Sequence, residues 1–209
     1  VMRRGTSWRQ PVPLSPDTTL LLWIVLGTLP AALVGMLFED FFEALFARPA
    51  AVALFLLLTA AVLALSEWLS RRPGGKPRDL ATLTWGDALL VGLGQALAIF
   101  PGLSRSGATI AAGLARGLRR SEAARFSFLL ATPVVLGAGL AQVVNLAQAG
   151  GLAAQAPALA LGLLGAALAG LVCVHLFLRF VQRYPLYPFA IYCALAGVAS
   201  LVVLLVRRG

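Results

Sequence analysis

The chain has 209 residues, 60% hydrophobic and only 12% charged, with a formal net charge of +9. Soluble domains carry about one-quarter charged residues, so the composition excludes an ordinary soluble fold and indicates a single all-α, polytopic membrane helix bundle over residues 1–209. The basic residues cluster at the ends of apolar runs, not on a face interleaved with exposed aromatics. That pattern points to a bilayer and away from nucleic acid as the partner.

Residues 1–15 form a basic, proline-containing segment, expected to be cytoplasmic, with Arg3, Arg4 and Arg9. No signal peptide is evident, and the start at Val1 leaves an alternative start or a longer N-terminus open. Ser15-Pro16-Asp17 has the form of a helix start, with a capping hydroxyl, a first-turn proline and an acid at the positive end of the dipole. The first span is predicted from about Leu20 to Phe38. Glu39 to Phe46 alternates acids with aromatics and reads as an interfacial helix, with Glu39, Asp40 and Glu43 on a solvated face. Pro49 opens a second span to about Leu69, with Glu67 near its interfacial end, followed by a basic, breaker-rich loop at residues 71–78.

Thr84-Trp85-Gly86-Asp87 has capping-box form and makes Asp87 a helix-start acid. The apolar piece that follows, 85–100, is too short to span before Pro101-Gly102 ends it, and the returning piece, 104–118, is also short. Two short halves joined by a Gly/Ser-rich break predict a re-entrant helix-loop-helix over 85–118. Ser121 is expected to cap a long helix to about Gln148 with Pro133 inside it. A further span over 157–178 carries Gly162, Gly165 and Gly170, expected at close helix contacts. The last span runs from about Phe189 to Val206, which makes about five spanning helices in all. Cys173 and Cys193 lie in apolar runs and read as buried free thiols without metal-site spacing, and His175 reads as a core or interface histidine.

With the start inside, the hairpin arrangement keeps Arg71, Arg72, Lys76, Arg78, Arg116, Arg119, Arg120, Arg125, Arg179 and Arg183 on the cytoplasmic side. A single crossing of 85–118 would push Arg116 to Arg125 outside, against the positive-inside bias. The hairpin mouth is therefore expected at the cytoplasm and its tip near the bilayer centre. Arg119, Arg120 and Arg125 read as topology charges or lipid-headgroup contacts.

The tip, Phe100 to Ile110, holds the candidate site. Arg105 puts a permanent cation into an apolar layer, where a charge costs about 2.5 kcal/mol or more unless it meets a polar or wet interior. Pro101 breaks the helix, Gly102 and Gly107 relax the backbone, and Ser104 caps a new helix whose first amides converge on the same spot as Arg105. This is an anion cradle. Arg105 could instead tie the hairpin tip, Ser104 and Ser106 act as donors or caps, and Thr109 either contacts phosphate or bonds back to a helix carbonyl. Gly102 and Gly107 are placed for backbone approach to phosphate, and Gln95, two turns before the break, is a further candidate. No His, Asp or Glu lies within ten residues of Ser104 on either side, so no activated nucleophile is visible.

Over Gln95 to Thr109 the chain resembles the bacterial undecaprenyl-diphosphate phosphatases, the bacitracin-resistance family, whose P-G-x-S-R-S-G-x-T string appears as Pro101 to Thr109. Gly27 to Ala32, Phe38 to Glu43, Phe126 to Leu130 and Pro188 to Tyr192 are similar to the family too, so the likeness covers roughly residues 20–206. The resemblance implies a multi-pass enzyme of the bacterial inner membrane that hydrolyses the C55 polyprenyl diphosphate to its monophosphate, recycling the cell-wall lipid carrier. It implies Arg105, Ser104 and Thr109 as catalytic residues, Ser106, Gly102, Gly107 and Gln95 as substrate-binding residues, and a divalent cation, Mg or Ca, as cofactor. It also implies an inverted-repeat fold, of which these residues match the second half; the family's opening E/Q-x-x-x-E motif and Ser-rich stretch ending in Gly-His have no counterpart here. The oligomeric state is left open. On the residues alone, a transporter or flippase-like carrier of an anionic lipid or solute fits broken helices and a buried cation equally well.

Overall fold

A computed structural model describes residues 15–71 and 77–207, so the basic segment at 1–14 and residues 72–76 of the basic loop lie outside it. Among the described residues the chain is helical: α1 (Pro16–Leu37), α2 (Glu39–Phe46), α3 (Pro49–Ser70), a 3₁₀ turn (Leu80–Thr82), α4 (Trp85–Leu97), α5 (Arg105–Ala115), α6 (Arg120–Gln148), α7 (Leu152–Arg183) and α8 (Tyr187–Val206). Five of them, α1, α3, α6, α7 and α8, are long and apolar enough to cross a membrane.

The start signals in the sequence act as their chemistry dictates. The Ser15 hydroxyl accepts from the Thr18 amide at 3.2 Å. Thr84 and Asp87 form a reciprocal capping box, with the Asp87 amide donating to Thr84 Oγ1 and the Thr84 amide donating to Asp87 Oδ2. Ser121 does not cap α6: the helix begins one residue earlier, at Arg120, and its N-cap residue, Arg119, makes no side-chain capping bond.

The stretch from 85 to 118 enters and leaves at one end. The Arg78 amide donates to Gly117 O at 2.8 Å, and the Arg119 amide donates back to Arg78 O at 3.0 Å. The segment before α4 is thus stitched to the segment after α5, which a single crossing would place at opposite ends. The hairpin packs α4 on α1 and α5 on both α3 and α6. A Cβ at Gly92 would overlap the Gly27 carbonyl, so bare backbones meet where α4 crosses α1. Phe126, Leu130, Ile110, Val91 and Ala88 form the centre of the core at 0–1% exposure.

Several sequence expectations meet a different environment. Glu67, near the end of α3 as expected, is fully buried within the fold rather than solvated, and binds Arg71 (3.0 Å), Arg120 (2.7 Å) and the Leu186 amide (3.2 Å). One carboxylate thereby ties α3 to the α6 start and to the α7–α8 turn. Gly162, Gly165 and Gly170 have nothing within 4 Å of where a Cβ would stand, so they make no close helix contact. The apolar window of α7 lies wholly on the outside of the fold, which also leaves Cys173 and His175 exposed rather than buried; only Cys193 is a buried thiol. The acids Glu39, Asp40 and Glu43 are exposed, as expected for α2.

Candidate active site at the hairpin tip

Pro101-Gly102-Leu103-Ser104 forms the turn between α4 and α5. Gly102 adopts φ +92°, and a Cβ there would overlap the carbonyl oxygen of Val52 in α3. Two demands, a left-handed backbone and direct helix contact, fall on this one residue. Gly107 is tight as well, since a Cβ would stand 3.0 Å from Ser104 Cβ. Packing within the fold accounts for both glycines.

Thr59, in the middle of α3, clamps the turn. Its hydroxyl donates to Gly102 O at 3.1 Å and accepts the Ser104 amide at 3.0 Å, while the residue is 2% exposed. The sequence reading missed this residue, because a lone threonine in an apolar helix 45 positions away carries no local signal. Ser104 then caps α5, its hydroxyl accepting the Gly107 amide at 3.1 Å with Ser106 Oγ 3.5 Å away. A capping hydroxyl that accepts an amide keeps its own proton free to donate. The first amides of α5 have no intrahelical partner and give the helix start a partial positive charge.

Arg105, the first residue of α5, is partly buried. Among the described residues no hydrogen bond, ion pair or ring contact involves its guanidinium. Every acid buried in this structure is satisfied elsewhere: Asp87 by Arg78, Arg116 and Thr84, and Glu67 by Arg71 and Arg120. Thr109 is 1% exposed and donates back to Arg105 O at 2.8 Å, with Ser127 Oγ of α6 at 2.6 Å. Its geometry is that of the carbonyl-bonding alternative, which pins the first turn of α5 to α6. Gln95 is 2% exposed, and neither polar atom of its side chain has a partner. An orphaned buried amide is costly.

The turn lies against α3 between Val52 and Thr59. Gly102 meets Val52, one turn in from the α3 start, and Phe100 packs on Phe42 of α2 with centroids 5.2 Å apart and on Phe55 at 4.9 Å. α3 runs on from there to the end where the mouth opens, and the Ser104 amide meets Thr59 midway along it. The aromatic cluster anchors the turn against α2 and α3.

Beside the tip an apolar groove of about 580 Å³ runs between α3, α4 and α5, from Phe100 and Ser104 to Leu69 and Ala115. The site therefore joins a polar head to an apolar channel. No three His, Cys, Asp or Glu side chains come together among the described residues, so these residues do not fit a divalent-cation site and no step is assigned to one.

The chain is similar to known proteins over most of its length. A protein named undecaprenyl-diphosphatase from Methanothermobacter thermautotrophicus is 42% identical over 183 residues, covering 88% of this chain and 99% of the relative. Undecaprenyl-diphosphatase 2 of Chromobacterium violaceum is 44% identical over 200 residues, covering 92% of this chain and 70% of the relative. Undecaprenyl-diphosphatase 2 of Stutzerimonas stutzeri is 40% identical over 186 residues, covering 89% and 68% respectively. The family model described as bacitracin resistance protein BacA matches residues 2–199, and the chain belongs to that family.

Proposed function

We propose that this protein is a multi-pass inner-membrane phosphatase that hydrolyses undecaprenyl diphosphate to the monophosphate, with the phosphates docked at the α4–α5 tip. One observation carries the reading: Arg105 stands at the N-terminus of a helix that begins inside the apolar layer, and its guanidinium has no partner among the described residues. A buried cation left unpaired is costly, and a diphosphate supplies the missing charge.

Phosphoryl transfer asks the protein for in-line positioning and charge stabilisation. Arg105 grips phosphate oxygens in its planar fork. Ser104 and Ser106 donate hydroxyl protons, and the first α5 amides face the developing charge. Thr109 and Thr59 act as positioning residues, the first by tying α5 to α6 and the second by fixing the turn to α3. Gln95 is a further substrate-binding candidate, because a ligand would relieve its unpaired amide. The groove beside Ser104 takes the first isoprenoid units of the lipid. The described residues place no acid or imidazole beside Ser104, so no step is assigned to a base.

The test is release of inorganic phosphate from undecaprenyl diphosphate by the purified chain in micelles. The wild-type protein should release it, and Arg105→Ala should lose about 100-fold or more, as expected for removal of a transition-state charge contact. No release, or equal release by the variant, contradicts the proposal. Lipid uptake in proteoliposomes without release would identify a carrier instead.

A further inference from the structure

At the mouth of the hairpin, far from the tip, a second polar cavity of about 730 Å³ opens between the ends of α3 and α7 and the α5–α6 turn. Arg78, Arg116, Arg119, Arg120 and Ser121 line it. These arginines are not equivalent. Arg78 uses all four terminal N–H groups: Nη1 and Nη2 both reach the Asp87 carboxylate (3.3 and 2.7 Å) and also donate to the carbonyls of Arg116 and Thr82. Arg116 uses only its Nε, at 2.5 Å from Asp87 Oδ1, and Arg120 only one terminal nitrogen, at 2.7 Å from Glu67 Oε1. The remaining guanidinium donors of Arg116 and Arg120 take no partner among the described residues.

Charge does not balance here. Asp87 answers both Arg78 and Arg116, Glu67 answers both Arg71 and Arg120, and Asp79 answers Arg119 alone. These five guanidiniums, four of which line the cavity, share three carboxylates, so the ion-pair set keeps a positive surplus. The first turn of α6 carries one acid, Glu122, beside its free amides: no side chain caps that helix, and the Ser121 hydroxyl makes no hydrogen bond among the described residues. Free guanidinium donors, a free hydroxyl and uncapped amides around one cavity form a phosphate receptor.

The cavity is also continuous with apolar surface. Leu69 and Ala115 line both this cavity and the groove between α3, α4 and α5. A soluble anion has no use for that edge, whereas a lipid places its headgroup on one side of it and its first methylenes on the other. Basic pockets between helices at the cytoplasmic side suit anionic headgroups. We propose that this mouth binds the phosphate headgroup of an anionic phospholipid of the inner leaflet, held by Arg116, Arg120 and Ser121, with its apolar part beginning at Leu69 and Ala115.

The experiment uses the whole chain in zwitterionic micelles, with phosphatidylglycerol, phosphatidylcholine or inorganic phosphate added separately. Retained lipid is read by native mass spectrometry and stability by the thermal midpoint. Phosphatidylglycerol should be retained and raise the midpoint by about 5 °C near saturation. Phosphatidylcholine and inorganic phosphate should not. The double variant Arg116→Gln/Arg120→Gln should lose at least tenfold in retention. Because it also disturbs the carboxylate pairs, Ser121→Glu is the second variant: an acid in the first turn of a helix favours folding, yet it fills the cavity with negative charge. It should lose retention to the same degree. Equal effects of the two lipids, an equal shift from inorganic phosphate, or unchanged retention in Ser121→Glu would each overturn the proposal.

Discussion

Replacing Thr59 with valine keeps the shape of the side chain and removes one oxygen. That oxygen makes two hydrogen bonds, to Gly102 O at 3.1 Å and from the Ser104 amide at 3.0 Å, at a residue 2% exposed. The variant leaves a carbonyl and an amide unpaired away from water, each costing about 1–3 kcal/mol. The penalty, about 2–4 kcal/mol once some relaxation is allowed, falls on the turn rather than on the bundle as a whole. Since Ser104 and Arg105 follow this turn directly, its loss displaces the donors, and a shift of about 1 Å at a reacting centre can cost about 100-fold in rate. The assay is the initial rate of phosphate release beside the thermal midpoint. Thr59→Val should lose 10- to 100-fold in rate by this reasoning, while Thr59→Ser, which restores the hydroxyl, should stay near wild type. A wild-type rate in the valine variant would refute the clamp.

Gly102→Ala imposes both a left-handed backbone and overlap with the Val52 carbonyl, so it should lower the midpoint in a thermal melt and abolish phosphate release. Gly162→Leu should leave the midpoint within about 1 °C of wild type, because nothing lies within 4 Å of a Cβ there. Asp87 carries a pH prediction. Burial alone would raise its carboxyl, but hydrogen bonds from Arg78, Arg116 and Thr84 overcome that and hold it well below the usual carboxylate range. A depressed folded-state value stabilises fully above the ordinary carboxyl value of about 3.9 and loses that contribution only as pH falls through the depressed one. Melts of the wild type should therefore show no Asp87-linked change between about pH 5 and 8, and Asp87→Asn should be less stable by a constant amount across that window.

Local chemistry made much of this protein legible in its sequence. Ser15, Thr84 and Ser104 cap helices as their neighbours predict, because a capping bond spans only three residues. The charge asymmetry of Arg116 to Arg125 was enough to fold 85–118 back on itself, as the bonds of Arg78 to Gly117 and Arg119 show. What depends on partners distant in sequence was not legible. Glu67 and Thr59 stand in an apolar helix whose faces all look alike, and only the packing of α5, α6 and the α7–α8 turn against α3 gives them roles. The α7 glycines misled for the same reason, since small residues mark close contacts only where a neighbour arrives. At the tip, the break and the cap at Ser104 were readable, whereas the packing of the turn rests on Thr59, Phe42 and Phe55, remote in the chain.

The account rests on a lipid diphosphate docking against Arg105, and the affinity of a prenyl diphosphate for the purified chain measures that contact without requiring turnover. Titration should show Arg105→Ala binding at least tenfold more weakly than wild type, a loss of the size expected for one charge-assisted, desolvated phosphate contact. Equal affinities for the two proteins would contradict it.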